Sequence, residues 1–116
     1  MMATAAAAFT VLVALLHFLF MAGETIGWDQ MARRFGFSKD EAETTRMLAI
    51  NQGFYNGAVS CVLLWALFAG HPATVTAMLL FVIAMSVVGA LTARWSIIII
   101  QGAPAVVALA LHLAAG

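Results

Sequence analysis

Charged residues are scarce in this chain, and their scarcity excludes a soluble globular domain. Lys and Arg number five, Asp and Glu number five, and together they make up 9% of the 116 residues, whereas 65% are hydrophobic. In soluble domains about a quarter of the residues are charged. The formal net charge is zero, so the chain has no basic surplus of the kind that binds nucleic acid. We therefore expect a membrane protein without a nucleic-acid partner.

Cysteines and metal-ligand patterns are also nearly absent. The single cysteine, Cys61, cannot form an intrachain disulfide, and we interpret it as a small apolar filler in a helix. The three histidines, His17, His71 and His112, lie far apart in the chain without metal-ligand spacing. We expect neither a metal ion nor a cofactor.

Three long stretches carry no charge at all: Met1–Gly23, Met47–Ala93 and Trp95–Gly116. A membrane-spanning helix needs about 20 predominantly apolar residues, so the first and last stretches each hold one span. The middle stretch holds two, divided by "GHP" at residues 70–72. This pattern predicts an all-α polytopic protein with one domain and four transmembrane helices, at about residues 4–23, 38–69, 73–93 and 95–113. No Lys or Arg precedes the first run, so we expect a span there rather than a cleaved signal peptide.

A short amphipathic segment is predicted between the first two spans. Its apolar residues recur at i, i+3, i+4 and i+7: Trp28, Met31, Ala32 and Phe35. This spacing places them on one face of a helix lying in the membrane interface. Ser38 and Glu41 then match the S-x-x-E capping box, which predicts that helix two begins near Ser38.

The cations predict the orientation in the membrane. They are confined to two of the three connections between spans: Arg33, Arg34, Lys39 and Arg46 in the first and Arg94 in the third. Both connections lie on the same side, because four spans alternate. The positive-inside rule makes that side the cytoplasm and places both termini outside.

Large polar residues inside the second span form the most informative motif, "NQGFYNG" at residues 51–57. Asn51, Gln52, Tyr55 and Asn56 fall within an arc of about 140° on the helix. Gly53 and Gly57 lie on another side and form a G-x-x-x-G pair that allows close helix approach. The polar arc either lines a pocket or makes hydrogen bonds between helices, and we favour the pocket.

Three further residues extend this candidate site. Glu24 and His17 are seven residues apart on the first helix and share a face. Intramembrane carboxylates usually mark functional sites. Gln101, in "QGAPA" at residues 101–105, lies on the same inner side, beside a kink predicted at Pro104. Trp28 completes the predicted set.

These motifs carry a resemblance to a known family. "H-x6-E-x3-W" from His17 to Trp28, "NQGFYNG" and "QGAPA" resemble small bacterial four-helix membrane proteins catalogued as domain of unknown function 1304. The resemblance covers nearly the whole chain. It implies a four-helix fold in the bacterial cytoplasmic membrane but no established activity. Leu16 stands where the family commonly has Glu, which argues against chemistry that needs two carboxylates in the pocket.

Three functions are compatible with these residues. The favoured one is a cofactor-independent isomerase, cyclase or epoxide-opening enzyme for a hydrophobic small molecule. In it, Glu24 acts as acid or base, His17 relays or stabilises charge, and the remaining predicted residues bind substrate. The alternatives are a small proton-coupled exporter of the small-multidrug type and a structural or partner-binding membrane protein.

The expected partners are membrane lipid, the hydrophobic small molecule and a second copy of the chain. The predicted homo-oligomer, most simply a dimer, rests on the small-residue pairs Gly53/Gly57 and Gly23/Gly27.

Overall fold

The protein is all-α in a computed structural model that describes residues 1–116. Its elements are α1 (Met2–Glu24), α2 (Trp28–Arg34), α3 (Lys39–Phe68), α4 (Pro72–Thr92) and a π-helical segment (Ile98–Gly102) that continues into α5 (Ala103–Ala115). Four helices are long and apolar enough to cross a membrane: α1, α3, α4 and the continuous helix Ile98–Ala115. The prediction of an all-α protein with four spans and a short helix between the first two is confirmed.

The π-helical segment of the last span begins at Ile98, and helical backbone precedes it from Ser96, close to the predicted start near residue 95. At the end of α4, the backbone N–H groups of Ala93 and Arg94 both bond to the Gly89 carbonyl, at 2.8 and 3.0 Å. These bonds close the helix, and a turn occupies the next few residues. Ile97 packs beside Gly89, where an added Cβ would lie 3.0 Å from its Cγ2 atom.

Local signals in the sequence set the beginnings of α3 and α4. The Ser38 hydroxyl accepts from the Glu41 N–H at 3.1 Å, and the Ser38 N–H donates to the Glu41 carboxylate at 3.0 Å. This is the reciprocal capping box that the sequence predicts. Pro72 occupies the first position of α4, where its missing N–H costs nothing. Gly70 has φ of +76° in the preceding turn, a conformation that favours glycine.

The apolar core lies in two separate clusters. The larger joins all four spans through nine buried residues: Val13, Ala14, Leu63, Ala66, Val75, Leu79, Val82, Ala105 and Ala108. The smaller joins α2 to the first turns of α3, through Trp28, Ala32, Ala42 and Ala49. Along α3, the residues of the "NQGFYNG" motif fall between the two clusters.

Helix α1 is the central element of the bundle. It packs along both α3 and α5, whereas α3 touches α4 far less. The α3 residues in the larger cluster, Leu63 and Ala66, lie near the α3–α4 turn. Further down the same helix, Leu48 and Gln52 are exposed. The face of α3 that carries Leu48 and Gln52 is therefore not covered by α4.

Candidate functional site

Glycines bring α3 against the end of α1. A Cβ added to Gly53 would lie 3.2 Å from the Glu24 Cβ and 3.2 Å from the Met21 carbonyl oxygen. One turn later, Gly57 lies against the Met21 side chain. Two helices can approach this closely only where one of them lacks side chains. The G-x-x-x-G pair is thus used inside the chain, and it sets the level at which α3 meets Glu24.

That contact pairs a carboxyl group with an amide. The Asn56 Nδ2 donates a hydrogen bond to Glu24 Oε1, and both residues are half-buried. No donor from the protein bonds to Oε2 of Glu24. Because no buried side-chain oxygen or nitrogen in the protein lacks a partner, Oε2 is accessible from the surface of the chain. The carboxyl is thus positioned through one oxygen, and its other oxygen has no partner within the protein.

His17 lies on the same face of α1, about 10 Å further along the helix axis. Its ring is 2% exposed and stands edge-on to Phe20 at 5.2 Å between centroids. The Nδ1 atom lies 2.9 Å from the Val13 carbonyl oxygen. A carbonyl oxygen only accepts, so Nδ1 carries the proton and Nε2 is left as an acceptor. The structure brings His17 onto the Glu24 face but not into contact with the carboxyl.

The rest of the polar arc points elsewhere. Asn51, Gln52 and Tyr55 are exposed, Tyr55 by 64%. An arc of about 140° is wider than the strip of α3 that α1 covers, and the glycines occupy the centre of that strip. Only Asn56, at the edge of the arc nearest the glycines, therefore reaches Glu24. The structure brings together two of the predicted residues and leaves three on the outer surface.

Gln101 reaches α4 instead of α1. Its Nε2 donates to the Val82 carbonyl oxygen at 3.3 Å. The kink predicted at Pro104 takes the form of a π-helical turn, in which the Ala103 N–H bonds to the Ile98 carbonyl. Proline has no N–H and its ring displaces the carbonyl four residues earlier. A widened turn accommodates both effects, and Gln101 fastens that turn to α4.

Trp28 lies outside the candidate site. It is buried to 6% exposure, and its Nε1 donates to the Ala42 carbonyl oxygen at 2.9 Å. The indole therefore holds α2 against α3. Its position on the apolar face of α2 was evident from the sequence, but the hydrogen-bond partner was not.

Two hydrogen bonds between helices were not predicted from the sequence. The Ser60 hydroxyl donates to the Ala14 carbonyl oxygen at 2.6 Å, and His112 Nε2 lies 3.0 Å from the Pro72 carbonyl oxygen. The signal for Ser60 was its spacing, since it follows Gly53 and Gly57 on the same helical face. The polar residues of the bundle thus serve both purposes, helix fastening and positioning of the carboxyl.

Two surface depressions lie at the charged end of the molecule. One, of about 310 Å³, is lined by Gln30, Arg33 and Arg34. The other, of about 490 Å³, lies between α2 and the start of α3 and is lined by Asp29, Arg33, Phe37, Ser38, Lys39, Ala42, Glu43 and Arg46. Neither includes Glu24 or Asn56.

Four apolar helices around these groups define a multi-pass membrane protein. Residues 11–113 match the family described as "Protein of unknown function (DUF1304)", and the chain belongs to that family. It is 33% identical over 106 residues to "Uncharacterized protein YpaA" of Lactococcus lactis subsp. lactis (strain IL1403), an alignment that covers 86% of this chain and 89% of that relative. No solved structure matches the chain significantly.

Proposed function

We propose that this protein binds an amphipathic small molecule at the inner half of the membrane and exchanges a proton with it through Glu24. The observation that carries the proposal is the half-buried carboxyl at the end of α1, held through Oε1 by Asn56 while Oε2 stays accessible. A carboxyl that was only fastening helices would not need an accessible oxygen. Acid–base chemistry needs one, because the proton must move between that oxygen and the ligand.

The depth of the pair follows from helix length. α3 ends and α4 begins at the same turn, and α4 runs for 21 residues to Thr92. Counting the same number back along α3 places Leu48 level with Thr92. Asn56 then lies about 12 Å inside that level, and Gly53, which touches Glu24, about 7 Å inside. At such a depth a carboxyl meets few waters, and a ligand with a hydrocarbon body can reach it from the lipid.

The groups around Glu24 have separate roles in this proposal. Asn56 orients the carboxyl, and Gln52, one turn earlier at the edge of the exposed surface, contacts the ligand. His17 offers its free Nε2 as an acceptor deeper in the bundle. Isomerisation, cyclisation and epoxide opening are the reaction types that a single carboxyl with hydrogen-bonding neighbours serves without a cofactor.

The site faces the cytoplasm in this proposal. All five Lys and Arg residues lie at the end of the molecule nearest Glu24, in α2, in the first turns of α3 or in the loop between α4 and the last span. The positive-inside rule assigns that end to the cytoplasm of a bacterial inner membrane and both termini to the other side. A reporter fused after Gly116 is therefore expected to be active only outside the cytoplasm.

The proposal includes a homodimer, and its interface lies on a different face of α3 from Gly53 and Gly57. Gly53 and Gly57 pack against α1, and Gly23 packs against Met31. The exposed amides and phenol of α3 are the face left to bond with a second copy, since each amide both donates and accepts. In a Cys61→Ser background, Asn51→Cys is expected to cross-link between copies in nanodiscs, whereas Leu80→Cys, exposed on α4, is not.

A structural role is the second candidate function. The bonds from Ser60 to Ala14, from Gln101 to Val82 and between His112 and Pro72 each fasten one span to another. If the Asn56–Glu24 bond belongs to this set, Glu24→Gln keeps it, because a glutamine carbonyl also accepts from Asn56.

A hydrophobic carbodiimide tests the proposal directly. Dicyclohexylcarbodiimide modifies protonated carboxyls in apolar surroundings, so it is expected to label Glu24 at a rate that falls as pH rises. A water-soluble carbodiimide is expected to label the exposed Asp40 and Glu43 instead. Peptide mass spectrometry locates the label, and the Glu24→Gln variant serves as the control that cannot be labelled at position 24.

Protection from labelling tests ligand binding. A long-chain tertiary amine bears a cation on a hydrocarbon body and is expected to slow labelling of Glu24, while the alcohol of equal chain length does so far less. If neither compound slows the labelling of Glu24, and Glu24→Gln leaves the free energy of unfolding unchanged, the structural role is the correct one.

A further inference from the structure

The end of the bundle that carries α2 holds three arginines that pair with none of the chain's own carboxylates. Asp29 and Glu43 both pair with Arg46, at 2.5 and 3.0 Å. Glu41 is occupied by the capping box at Ser38. The protein forms no other ion pair. Arg33, Arg34 and Arg94 are therefore without a carboxylate within 4.0 Å.

Arg94 lies beside the end of α2 because the last interspan loop reaches back to that helix. Arg94 Nη1 donates to the Arg34 carbonyl oxygen at 3.0 Å, and its guanidinium lies 5.3 Å from the centre of the Phe35 ring. Gln30, Arg33 and Arg34 share a face of α2 by their i, i+3, i+4 spacing and line the depression of about 310 Å³. Positive charge is thus gathered from two distant parts of the chain at one place.

Like charges cost free energy when they are held together without a counter-ion. Here a hydrogen bond to the Arg34 carbonyl and a cation–π contact with Phe35 hold Arg94 beside the end of α2. One N–H of the Arg94 guanidinium is used, and a guanidinium has five. Its remaining donors, with those of Arg33 and Arg34, form a set suited to the oxygens of a phosphate.

The surroundings identify the source of that phosphate. Trp95, next to Arg94, is 69% exposed, and Phe35, next to Arg34, is 40% exposed. Exposed aromatic rings beside the ends of spans are typical of the headgroup level of a bilayer. A basic cluster at that level is where anionic lipids bind.

We propose that Gln30, Arg33, Arg34 and Arg94 form a binding site for the phosphodiester of an anionic phospholipid. The acyl chains lie against the exposed apolar residues at the beginning of the last span. This site is separate from Glu24, and it does not depend on the proposed acid–base function. A lipid bound there holds both α2 and the Arg94 loop at the membrane surface. The position of α2 relative to that loop therefore depends on the lipid composition.

Native mass spectrometry of the full chain from mild detergent tests the site, with phosphatidylglycerol and phosphatidylcholine of matched acyl chains as probes. Wild type is expected to retain phosphatidylglycerol in preference. Arg34→Gln is expected to lower that preference about five-fold, the effect of one cation near a membrane surface. The Arg34 side chain has no partner in the protein, so this variant keeps the fold.

Lys39→Gln is the matched control, because Lys39 is an exposed cation without an ion pair that lies outside the smaller depression. It removes the same charge and is expected to leave the lipid preference unchanged. Arg34→Lys keeps the charge but loses the planar fork, and an intermediate preference is expected.

Two results would overturn the proposal. An equal loss in Lys39→Gln and Arg34→Gln would mean that only the net charge of this end attracts lipid. Displacement of phosphatidylglycerol by an equal concentration of inorganic phosphate would mean that the site takes a soluble anion, not a lipid.

Discussion

Replacing Gly53 with alanine tests how the candidate site is assembled. The added Cβ would meet the Thr25 Cγ2 atom at 2.9 Å, the Glu24 Cβ at 3.2 Å and the Met21 carbonyl oxygen at 3.2 Å. Two of these atoms belong to backbone or to a Cβ, so no side-chain rotation relieves the clash. The α1 and α3 helices must move apart by a few tenths of an ångström, and the distance between Glu24 and Asn56 must grow with it.

The magnitude follows from two opposing effects. Overpacking a well-packed contact costs about 1–3 kcal/mol, and exchanging glycine for alanine inside a helix returns about 0.5–1 kcal/mol. We expect Gly53→Ala to lower the free energy of unfolding by about 1 kcal/mol, and by no more than about 2.5 kcal/mol. Gly57→Ala meets only atoms of the Met21 side chain, which has three rotatable bonds. We expect it to destabilise the protein less than Gly53→Ala does, because the helix-propensity gain of about 0.5–1 kcal/mol opposes the small cost of moving a flexible side chain.

Ala58→Gly supplies the internal control for this comparison. Ala58 is exposed on α3, one residue from Gly57, so the exchange reports helix propensity alone. Unfolding in mixed micelles, followed by circular dichroism, gives all three free energies under one condition. The carbodiimide labelling of Glu24 gives a second readout, expected to rise in Gly53→Ala as the carboxyl separates from Asn56. If Gly53→Ala proved as stable as wild type after the propensity correction, the close contact between α1 and α3 at Glu24 would be refuted.

Three further outcomes follow from single contacts. Ser60→Ala removes the bond to Ala14 and is expected to cost about 0.6 kcal/mol of unfolding free energy, at most about 1.7, the range for hydrogen bonds between spans; a larger loss would show that the hydroxyl does more than fasten two helices. Trp28→Phe leaves the Ala42 carbonyl without its indole donor and is expected to increase proteolysis between α2 and α3, measured by limited digestion, whereas unchanged digestion would contradict the fastening role. Tyr55→Phe is expected to leave the unfolding free energy of the monomer within about 0.5 kcal/mol, because the phenol is exposed; a clear loss in the monomer would contradict its outward position.

The four spans and the short helix α2 were predictable because composition and period determine them. Uncharged runs of twenty residues have no stable place in water, and the apolar face of α2 is set by the spacing of Trp28 and Ala32. The beginning of α3 was predictable for a local reason as well, since Ser38 and Glu41 form the capping box without help from the rest of the fold.

The partners of the polar side chains were not predictable, because they depend on which helix lies beside which. The sequence placed Asn51, Gln52, Tyr55 and Asn56 on one side of α3, but the width of the strip covered by α1 decides that only Asn56 is inside. Gln101 illustrates the same limit. Its depth in the membrane followed from its position in the span. The π-helical turn before Pro104, however, sets the direction of its side chain, which bonds to the Val82 carbonyl.

Asn56 and Ser60 are one turn apart on α3, and both donate hydrogen bonds to α1. The acceptor of Ser60 is a backbone carbonyl, whereas the acceptor of Asn56 is a side-chain carboxyl. Ser60 bonds to the Ala14 backbone carbonyl, which every residue type would provide. Asn56 bonds to the carboxyl of Glu24, although the side-chain carbonyl of glutamine would also accept a hydrogen bond from it. A carboxyl in a membrane span is costly. When ionised it accepts a stronger hydrogen bond than a neutral amide does, but helix fastening does not require a proton that exchanges. In the proposed function, titration of Glu24 or its ion pairing with a ligand uses the property that distinguishes a carboxyl from an amide, and Glu24→Gln removes that property while keeping a hydrogen bond to Asn56.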